Sequence, residues 1–365
     1  MTVYIFFLSL LGFIWQGKES KIRFFFMMSL LFLFSICRST SVGTDYIHYI
    51  ESYNSDVYSF NIQQLDVFSF SDNSEFFNTD NRTSREFSWN ILISFLKLFG
   101  NNPYLISHII EALILLIISI GIKKLSPKPC MSIFLYVGLY LFFPVFNTIR
   151  QELAVSLFFL SAAYLVEKKY IKFIIIYAIS ATVHSSAIFV VFSFALLFLK
   201  KLPSFKVVSL IFIALIICQI ENIKLNIISL IAPAAMDPDY YINNYSTGVV
   251  SNLANTFFIL INFVFSLFFL YTYKLSKKDS FQFIIFWFIG LSILILLYYN
   301  KVLTRPIEYF MIFQIIIIPQ VYKFLIGYSK IYAKRYYIIT ILYTIFVYIC
   351  NLISNNQGIV PYKFI

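Results

Sequence analysis

The chain has 365 residues, of which 60% are hydrophobic and only 12% are charged, and its formal net charge is +11. Soluble domains are nearer half apolar with about a quarter of their residues charged, so the composition excludes an ordinary water-soluble protein. Nucleic acid is excluded as the partner of the positive charge, because the basic residues are dispersed among short loops between apolar runs. The sequence predicts an all-α polytopic membrane protein.

Apolar runs recur along the whole chain, and most are long enough to cross a bilayer. The first run has no basic leader and no small-residue cleavage site, so we expect it to remain as a span. We predict about 12 transmembrane helices in a single integral-membrane domain over residues 1–365. The predicted spans are 2–15, 22–37, 104–122, 130–147, 149–166, 172–183, 185–199, 207–220, 249–273, 280–299, 303–323 and 336–353.

Six short loops contain 19 of the 28 lysine and arginine residues. Loops rich in these residues stay in the cytoplasm, so the alternating non-basic loops and both termini are predicted to face outward. The stretch between Lys172 and Lys200 allows two topologies. One helix of about 40 Å would cross once, but both flanks are basic, which favours two short helices meeting at "TVHSS" (182–186).

Two external loops are predicted, at 39–88 and 233–248. The first contains eight of the 17 acidic residues and is too long for a structureless connection, so we expect it to fold. The apolar stretch from Trp89 to Phe99 is short for a span and is predicted to lie at the membrane interface.

Ionisable groups at the outer edge of the spans are functional candidates, because they are costly in hydrocarbon. Arg150 and Arg305 each begin a predicted helix, where free N–H groups favour an anion and a guanidinium fits a phosphate through paired hydrogen bonds. Together they describe a receptor for a diphosphate. The alternatives are that Arg150 extends to lipid headgroups and that Arg305 pairs with Glu308.

Two residues are candidates to take a proton from a hydroxyl group. His184 lies at the predicted turn between short helices, and Asp45 lies just beyond the second span. The sequence has no P-loop, HExxH or CxxC pattern, and its four cysteines are scattered in apolar runs. We therefore expect no metal and no cofactor.

Three segments in register resemble one family. "GTDYIHYIESY" (43–53), "FNTIRQELAVSLFFLSAAYLVEKKYIKFIIIYAISATVHSSAIFVV" (146–191) and "LTRPIEYFMIFQIIIIPQ" (303–320), with the terminal "VPYKFI", are similar to the EpsG/Wzy-type bacterial polysaccharide polymerases.

The resemblance implies a membrane glycosyltransferase with a GT-C-like fold in the bacterial inner membrane, whose active site faces the periplasmic or outer side. The implied substrate is an undecaprenyl-diphosphate-linked oligosaccharide of O-antigen or a related surface polysaccharide. Membrane lipids and a chain-length regulator are the implied partners. Arg150 and Arg305 would bind the donor diphosphate, and His184 or Asp45 would activate the acceptor. Weaker substrate contacts are expected from Tyr46, Gln151, Ser185 and Glu308.

Three other functions are compatible with a membrane protein of this composition. A flippase for the same lipid-linked unit needs charges distributed along its spans, whereas the ionisable residues here are predicted to cluster at one membrane end. An O-antigen ligase would use the same donor with a different acceptor. A membrane scaffold would not need arginines at helix starts.

Overall fold

A computed structural model describes residues 1–16, 19–54, 86–196, 261–265, 268–269, 271–272, 283–297, 305–355 and 357–364. These residues belong to two compact units. The first contains the described residues up to Ala187 and those from Gln314 onward, and the second contains those between Ile188 and Phe313. The predicted span 207–220, the predicted loop 233–248 and most of loop 39–88 lie outside the described residues.

The described part of the chain is helical and contains no β-strand beyond an isolated bridge. Four helical stretches within it are long and apolar enough to cross a membrane, namely Pro103–Leu125, Ile149–Val166, Pro306–Tyr328 and Lys330–Ser354. This confirms a polytopic membrane protein. The helices of the first unit are α1 (Thr2–Trp15), α2 (Lys21–Ile36), α3 (Tyr46–Asn54), α4 (Phe87–Lys97), α5 (Pro103–Leu125), α6 (Pro129–Gly138), α7 (Ile149–Val166), α8 (Tyr170–Val183), α13 (Gln314–Tyr328) and α14 (Lys330–Ser354).

The helices described in the second unit include α9 (Ser186–Phe189, which begins in the first unit), α10 (Ser193–Leu196), α11 (Ile284–Leu297) and α12 (Pro306–Met311). Helices α11 and α12 approach closely at Gly290, where a Cβ atom would lie 2.9 Å from the Cβ of Phe310. Arg305 immediately precedes α12 and its side chain is exposed.

The prediction of one continuous helix over 130–147 is wrong. Helix α6 ends at Gly138, and Tyr140 has a left-handed φ of 65°. A 3₁₀ helix at Phe143–Phe146 follows, with Pro144 in its first turn. The cause is local, because a proline inside an α-helix removes a hydrogen bond and clashes with the preceding turn.

The prediction of one helix over 185–199 is also wrong within its described part. Residues 186–196 form two four-residue helices separated by a turn. The predicted break near "TVHSS" is confirmed: α8 ends at Val183, and His184 is extended with φ −147° and ψ 125°.

Pro319 lies inside α13, yet the helix continues to Tyr328. Proline frees the carbonyl group four residues earlier, which here belongs to Ile315. The Oγ atom of Ser132 on α6 donates to that carbonyl oxygen at 2.6 Å. A side chain from a neighbouring helix therefore satisfies the carbonyl that proline exposes.

Helices α7 and α8 form an antiparallel hairpin. Buried alanines let their backbones approach, and Ser180 Oγ donates to the carbonyl oxygen of Ala154 at 2.7 Å. The turn between them contains Glu167, which pairs with Lys124 of α5 and with Lys169, each at 2.7 Å. Hydrogen bonds from these lysines lower the pKa of Glu167. The basic end of α5 and the basic turn between α7 and α8 thus meet at one end of the hairpin. The start of α7 lies at the opposite end.

Helix α4 brings its N-terminus to the end of α8. Ser88 Oγ and Thr182 Oγ1 are 2.7 Å apart and hydrogen-bonded. The Trp89 ring is fully buried, with ring centroids 6.3 Å from those of Tyr49 and Tyr53 on α3. The stretch from Trp89 that was predicted to be interfacial is therefore a helix packed between α3 and α8. This packing fixes the position of Glu86, the residue that precedes the helix.

The C-terminal segment 357–364, here called the C-terminal strap, packs along the segment that follows α2. The backbone N–H of Ser39 donates to Lys363 O at 2.7 Å, and that of Gly43 donates to Gly358 O at 3.1 Å. The Tyr362 hydroxyl donates to Phe34 O at 2.6 Å. These contacts tie the last residues of the chain to the segment that leads into Asp45.

A fully buried ion pair anchors the same segment. Arg38 pairs with Glu111 on α5, and Ser35 Oγ donates to Glu111 Oε2 at 2.5 Å. The guanidinium carbon lies 4.2 Å from the Tyr46 ring centroid and 4.3 Å from that of Phe146. Burial lowers the pKa of Arg38, but the Glu111 carboxylate outweighs it and the pKa is raised. The pair holds α2, α3 and α5 together.

Candidate functional site

The centre of the candidate site is an ion pair between Glu86 and Arg150. Arg150 lies in the first turn of α7, and Glu86 is the residue that caps the start of α4. Arg150 Nη1 lies 2.7 Å from Glu86 Oε2. The Glu86 side chain is 9% exposed and that of Arg150 is 33% exposed, so Glu86 is enclosed while part of the Arg150 side chain remains accessible.

The second oxygen of Glu86 faces the turn that follows α8. The backbone N–H of Ser185 donates to Glu86 Oε1 at 3.4 Å, and His184 Nδ1 lies 3.9 Å from the same oxygen. Because a carboxylate accepts several hydrogen bonds at once, Glu86 links the start of α7 to the end of α8. The structure thus brings together three of the predicted site residues: Arg150, His184 and Ser185.

The imidazole of His184 is oriented by Ser186. The backbone N–H of Ser186 donates to His184 Nδ1 at 3.2 Å, and Ser186 Oγ lies 3.0 Å from the same nitrogen. A nitrogen that accepts from a backbone N–H carries no proton itself, so the neutral ring holds its proton on Nε2. In this arrangement His184 presents a hydrogen-bond donor at Nε2.

An aromatic ring covers one face of Arg150. The guanidinium carbon lies 5.7 Å from the Tyr49 ring centroid, within the range of a cation–π contact. Burial raises the pKa of Tyr49, although the charge of Arg150 and a hydrogen bond from it oppose the rise. Tyr49 therefore stays protonated and holds the guanidinium plane in place.

Asp45 lies on the α3 side of this group. Its backbone N–H donates to Asn147 Oδ1 at 3.3 Å, and Thr44 Oγ1 donates to Asp45 Oδ1 at 2.9 Å. The Asn147 amide in turn donates to Gln357 Oε1 at 2.6 Å in the C-terminal strap. The side chain of Asp45 is exposed. A carboxylate with an exposed oxygen is therefore held beside α3 by contacts from three parts of the chain.

The remaining predicted residues have other surroundings. Tyr46 is 2% exposed and its ring is covered by Arg38. Gln151 is 1% exposed and lies inside the first turn of α7. Arg305 and Glu308 belong to the second unit, with Arg305 just before α12 and Glu308 in its first turn.

Glu86 is the residue of the site that sequence reasoning missed. The sequence places it last among eight acids of a polar segment, where a charged residue is usually solvated. The sequence signal that could have identified Glu86 is its position directly before the apolar stretch "FSWNILISFLK", because acidic residues are common at helix starts. In the structure its side chain makes no capping hydrogen bond to its own helix, so it bonds to other parts of the chain. Its pairing with Arg150 spans 64 positions of sequence.

The site has the chemistry of an anion receptor next to proton-transfer groups. A partly accessible guanidinium at a helix start can bind phosphate oxygens, since the free N–H groups of α7 add to its charge. Within the described residues, no group of three histidine, cysteine or acidic side chains is arranged to hold a metal ion.

Comparison with known proteins identifies one family. The model of the EpsG family matches residues 3–364, which is nearly the whole chain. No curated protein matches the chain significantly, and no solved structure does so either. The match includes every residue of the candidate site.

Proposed function

The chain belongs to the EpsG family, and from this premise we propose that it polymerises lipid-linked oligosaccharide repeat units at the outer face of the bacterial inner membrane. The growing glycan leaves its undecaprenyl diphosphate carrier and is joined to the incoming lipid-linked unit. The product is O-antigen or a related surface polysaccharide. The fold that we propose is a multi-span, GT-C-like glycosyltransferase of about 12 spans.

One observation carries this proposal: Arg150, His184 and Ser185 converge on one carboxylate at the end of the α7–α8 hairpin opposite its basic turn. Basic loops remain cytoplasmic, so this end is the outer one. The lipid-linked donor presents its diphosphate at the membrane surface, and Arg150 lies in the first turn of a candidate span, at the end where such a diphosphate would lie. The charge of Arg150 and its position at a helix start therefore support a diphosphate ligand.

The transfer requires the protein to stabilise the leaving diphosphate and to supply a base for the proton of the acceptor hydroxyl. The acceptor hydroxyl attacks the anomeric carbon, the bond from that carbon to the diphosphate oxygen breaks, and the leaving diphosphate keeps the electron pair. Fixed positive groups stabilise the charge that develops there, and this lowers the barrier more than it stabilises the bound substrate. We assign this part to Arg150, with Arg305 as a second donor-binding arginine.

The proton of the acceptor hydroxyl must pass to a base. Asp45 is favoured, because its carboxylate has an exposed oxygen, whereas Nδ1 of His184 already accepts from Ser186. His184 then acts as a donor through Nε2, which suits contact with a sugar hydroxyl or a phosphate oxygen. His184 as the base remains the alternative, and it requires the ring to exchange its tautomer. Glu308 stays in the proposal as a weaker contributor to substrate binding. Gln151 and Tyr46 are 1% and 2% exposed, so their proposed contribution is to support the neighbouring residues that contact the substrate.

Genetic complementation tests the proposal. Arg150→Ala and Arg305→Ala are each expressed in a host that lacks its own polymerase, with protein levels measured in the membrane fraction. Loss of a polymerase leaves the lipid core with one repeat unit, whereas loss of a flippase or a ligase leaves the core with none. We expect the wild-type chain to restore a ladder of lengths and both variants to leave single units. Normal ladders from both variants would contradict the assignment.

A further inference from the structure

We propose that Glu86 is an internal anion that occupies Arg150 between substrates and exchanges with the lipid diphosphate, so that it sets the affinity for donor and the release of product. This inference rests on the proposed function, because it takes the ligand of Arg150 to be a diphosphate. It makes Glu86 a positioning residue that acts through Arg150.

The geometry of the pair supports an exchange. Glu86 uses Oε2 for Arg150 at 2.7 Å and Oε1 for the N–H of Ser185 at 3.4 Å. The two contacts are on different oxygens, so one can break while the other holds. The Arg150 side chain is 33% exposed and the Glu86 side chain only 9%, so a ligand can reach Arg150 while Glu86 stays enclosed.

One contact of the carboxylate remains when Arg150 is taken by a ligand. The backbone N–H of Ser185 still donates to Glu86 Oε1 at 3.4 Å, whereas His184 Nδ1, 3.9 Å from the same oxygen, is too far for a hydrogen bond. The carboxylate is therefore held beside the site in either state. The guanidinium is also fixed by the Tyr49 ring at 5.7 Å, so Arg150 keeps its position when its anion changes.

The negative charge of the product explains why Glu86 would help the enzyme by competing for Arg150. The leaving group of each cycle is itself a lipid diphosphate, and an uncompensated arginine at a helix start would retain it. A carboxylate that returns to Arg150 displaces the product and restores a neutral pair. The competitor weakens binding of donor and product alike, and it speeds release, which limits turnover in many enzymes.

Binding of a prenyl diphosphate tests the inference directly. Farnesyl diphosphate is titrated calorimetrically into the purified full-length protein in lipid nanodiscs, with farnesol as the matched probe without charge. The variants are Glu86→Gln, Arg150→Ala and the double variant. Glutamine keeps the shape of the side chain and an acceptor oxygen for the Ser185 N–H, but it removes the charge.

We expect Glu86→Gln to bind farnesyl diphosphate roughly tenfold more tightly, a factor at the low end for close charge pairs. Arg150→Ala should bind it more weakly, and the double variant should lose the gain. With the lipid-linked substrate, Glu86→Gln should lower both KM and kcat. A purely structural role for Glu86 would instead weaken binding and reduce the amount of folded protein.

The outcomes separate this inference from the proposed function. Binding to wild type that depends on Arg150, with equal or weaker binding to Glu86→Gln, overturns the inference alone. Absence of diphosphate binding in wild type and in every variant overturns both. Glu86→Asp keeps the charge with a shorter reach, so it provides the test if glutamine prevents folding. Its affinity should lie above that of wild type, and an equal or lower affinity overturns the inference.

Discussion

Glu86 and Arg150 form an ion pair of 2.7 Å across the start of two helices, although 64 positions separate them in the sequence. The pair joins the N-terminus of α4 to that of α7, and Glu86 also accepts from the turn after α8. One carboxylate thereby organises the residues that the resemblance to polysaccharide polymerases singles out. The candidate site is consequently a product of packing among three helices within the first unit.

His184 is expected to be required for chain growth. Replacement by alanine removes the Nε2 donor, and we expect transfer to slow by about 10²–10³-fold, with single-repeat product accumulating. Ser186→Ala keeps the backbone donor to Nδ1 and loses only the hydroxyl contact, so it should slow transfer far less. The measurement is the distribution of chain lengths on a gel, normalised to protein level.

His48→Ala is the matched control for the histidine substitutions, because the His48 side chain is 75% exposed and its described ion pair is with Glu51. We expect it to give wild-type chain lengths. Equal ladders from His184→Ala and His48→Ala would remove His184 from the site.

Gly43 should tolerate no side chain. It has a φ of 105°, and a Cβ atom would lie 2.4 Å from the carbonyl oxygen of Phe146. Gly43→Ala should cost about 1–3 kcal/mol from backbone strain alone, and more from the clash. It should also shift Asp45 and the C-terminal strap. Thermal unfolding in detergent and polymer formation in cells are the two measurements.

Gly327→Ala provides the comparison, because a Cβ atom there would meet nothing within 4 Å and the residue lies inside α13. Alanine in a helix is favoured over glycine by roughly 0.5–1 kcal/mol, so this variant should be at least as stable as wild type. Equal stability of the two variants would contradict the packing described for Gly43.

The buried pair of Arg38 and Glu111 should behave as one unit. Either Arg38→Met or Glu111→Leu leaves an uncompensated buried charge, which should cost about 3–5 kcal/mol. The double variant should lose much less than the sum, because no charge remains buried. A double-mutant cycle of unfolding temperatures measures this coupling, and additive losses would show that the two residues do not interact.

Labelling tests the side of the membrane on which the site lies. In a variant with all four cysteines replaced, Ser185→Cys and Lys168→Cys introduce single thiols at opposite ends of the α7–α8 hairpin. We expect an impermeant thiol reagent added to intact spheroplasts to modify position 185 and to spare position 168 until the membrane is opened. The reverse pattern would invert the topology.

Helix positions could be predicted from the sequence more accurately than contacts between distant residues. The starts of α5 and α7 agree with the predicted spans to within a residue, because apolar runs and helix ends are encoded locally. The helix over 130–147 was overestimated, since hydropathy alone does not register the break imposed around Tyr140 and Pro144.

The candidate site shows the same division. Arg150 and His184 were predicted from their own chemistry, and both take part in the Glu86 cluster. Glu86 was missed, because its pairing with Arg150 depends on the packing of α4 on α8, which the local sequence of a polar segment does not indicate. Tyr46 was predicted as a weaker substrate contact, and its ring lies buried beneath Arg38, a neighbour that no local sequence pattern indicates.

The most direct test of the account is reconstitution of the purified protein with a lipid-linked repeat unit in proteoliposomes, followed by measurement of glycan length and of released lipid diphosphate. Wild type should lengthen the glycan and release one lipid diphosphate for each unit joined. Arg150→Ala should reduce this rate by roughly 10²–10³-fold, while Arg335→Ala, which removes an exposed arginine near the start of α14, should retain it. An Arg150→Ala rate equal to wild type, or lipid-linked units that cross the bilayer without growing, would contradict the account.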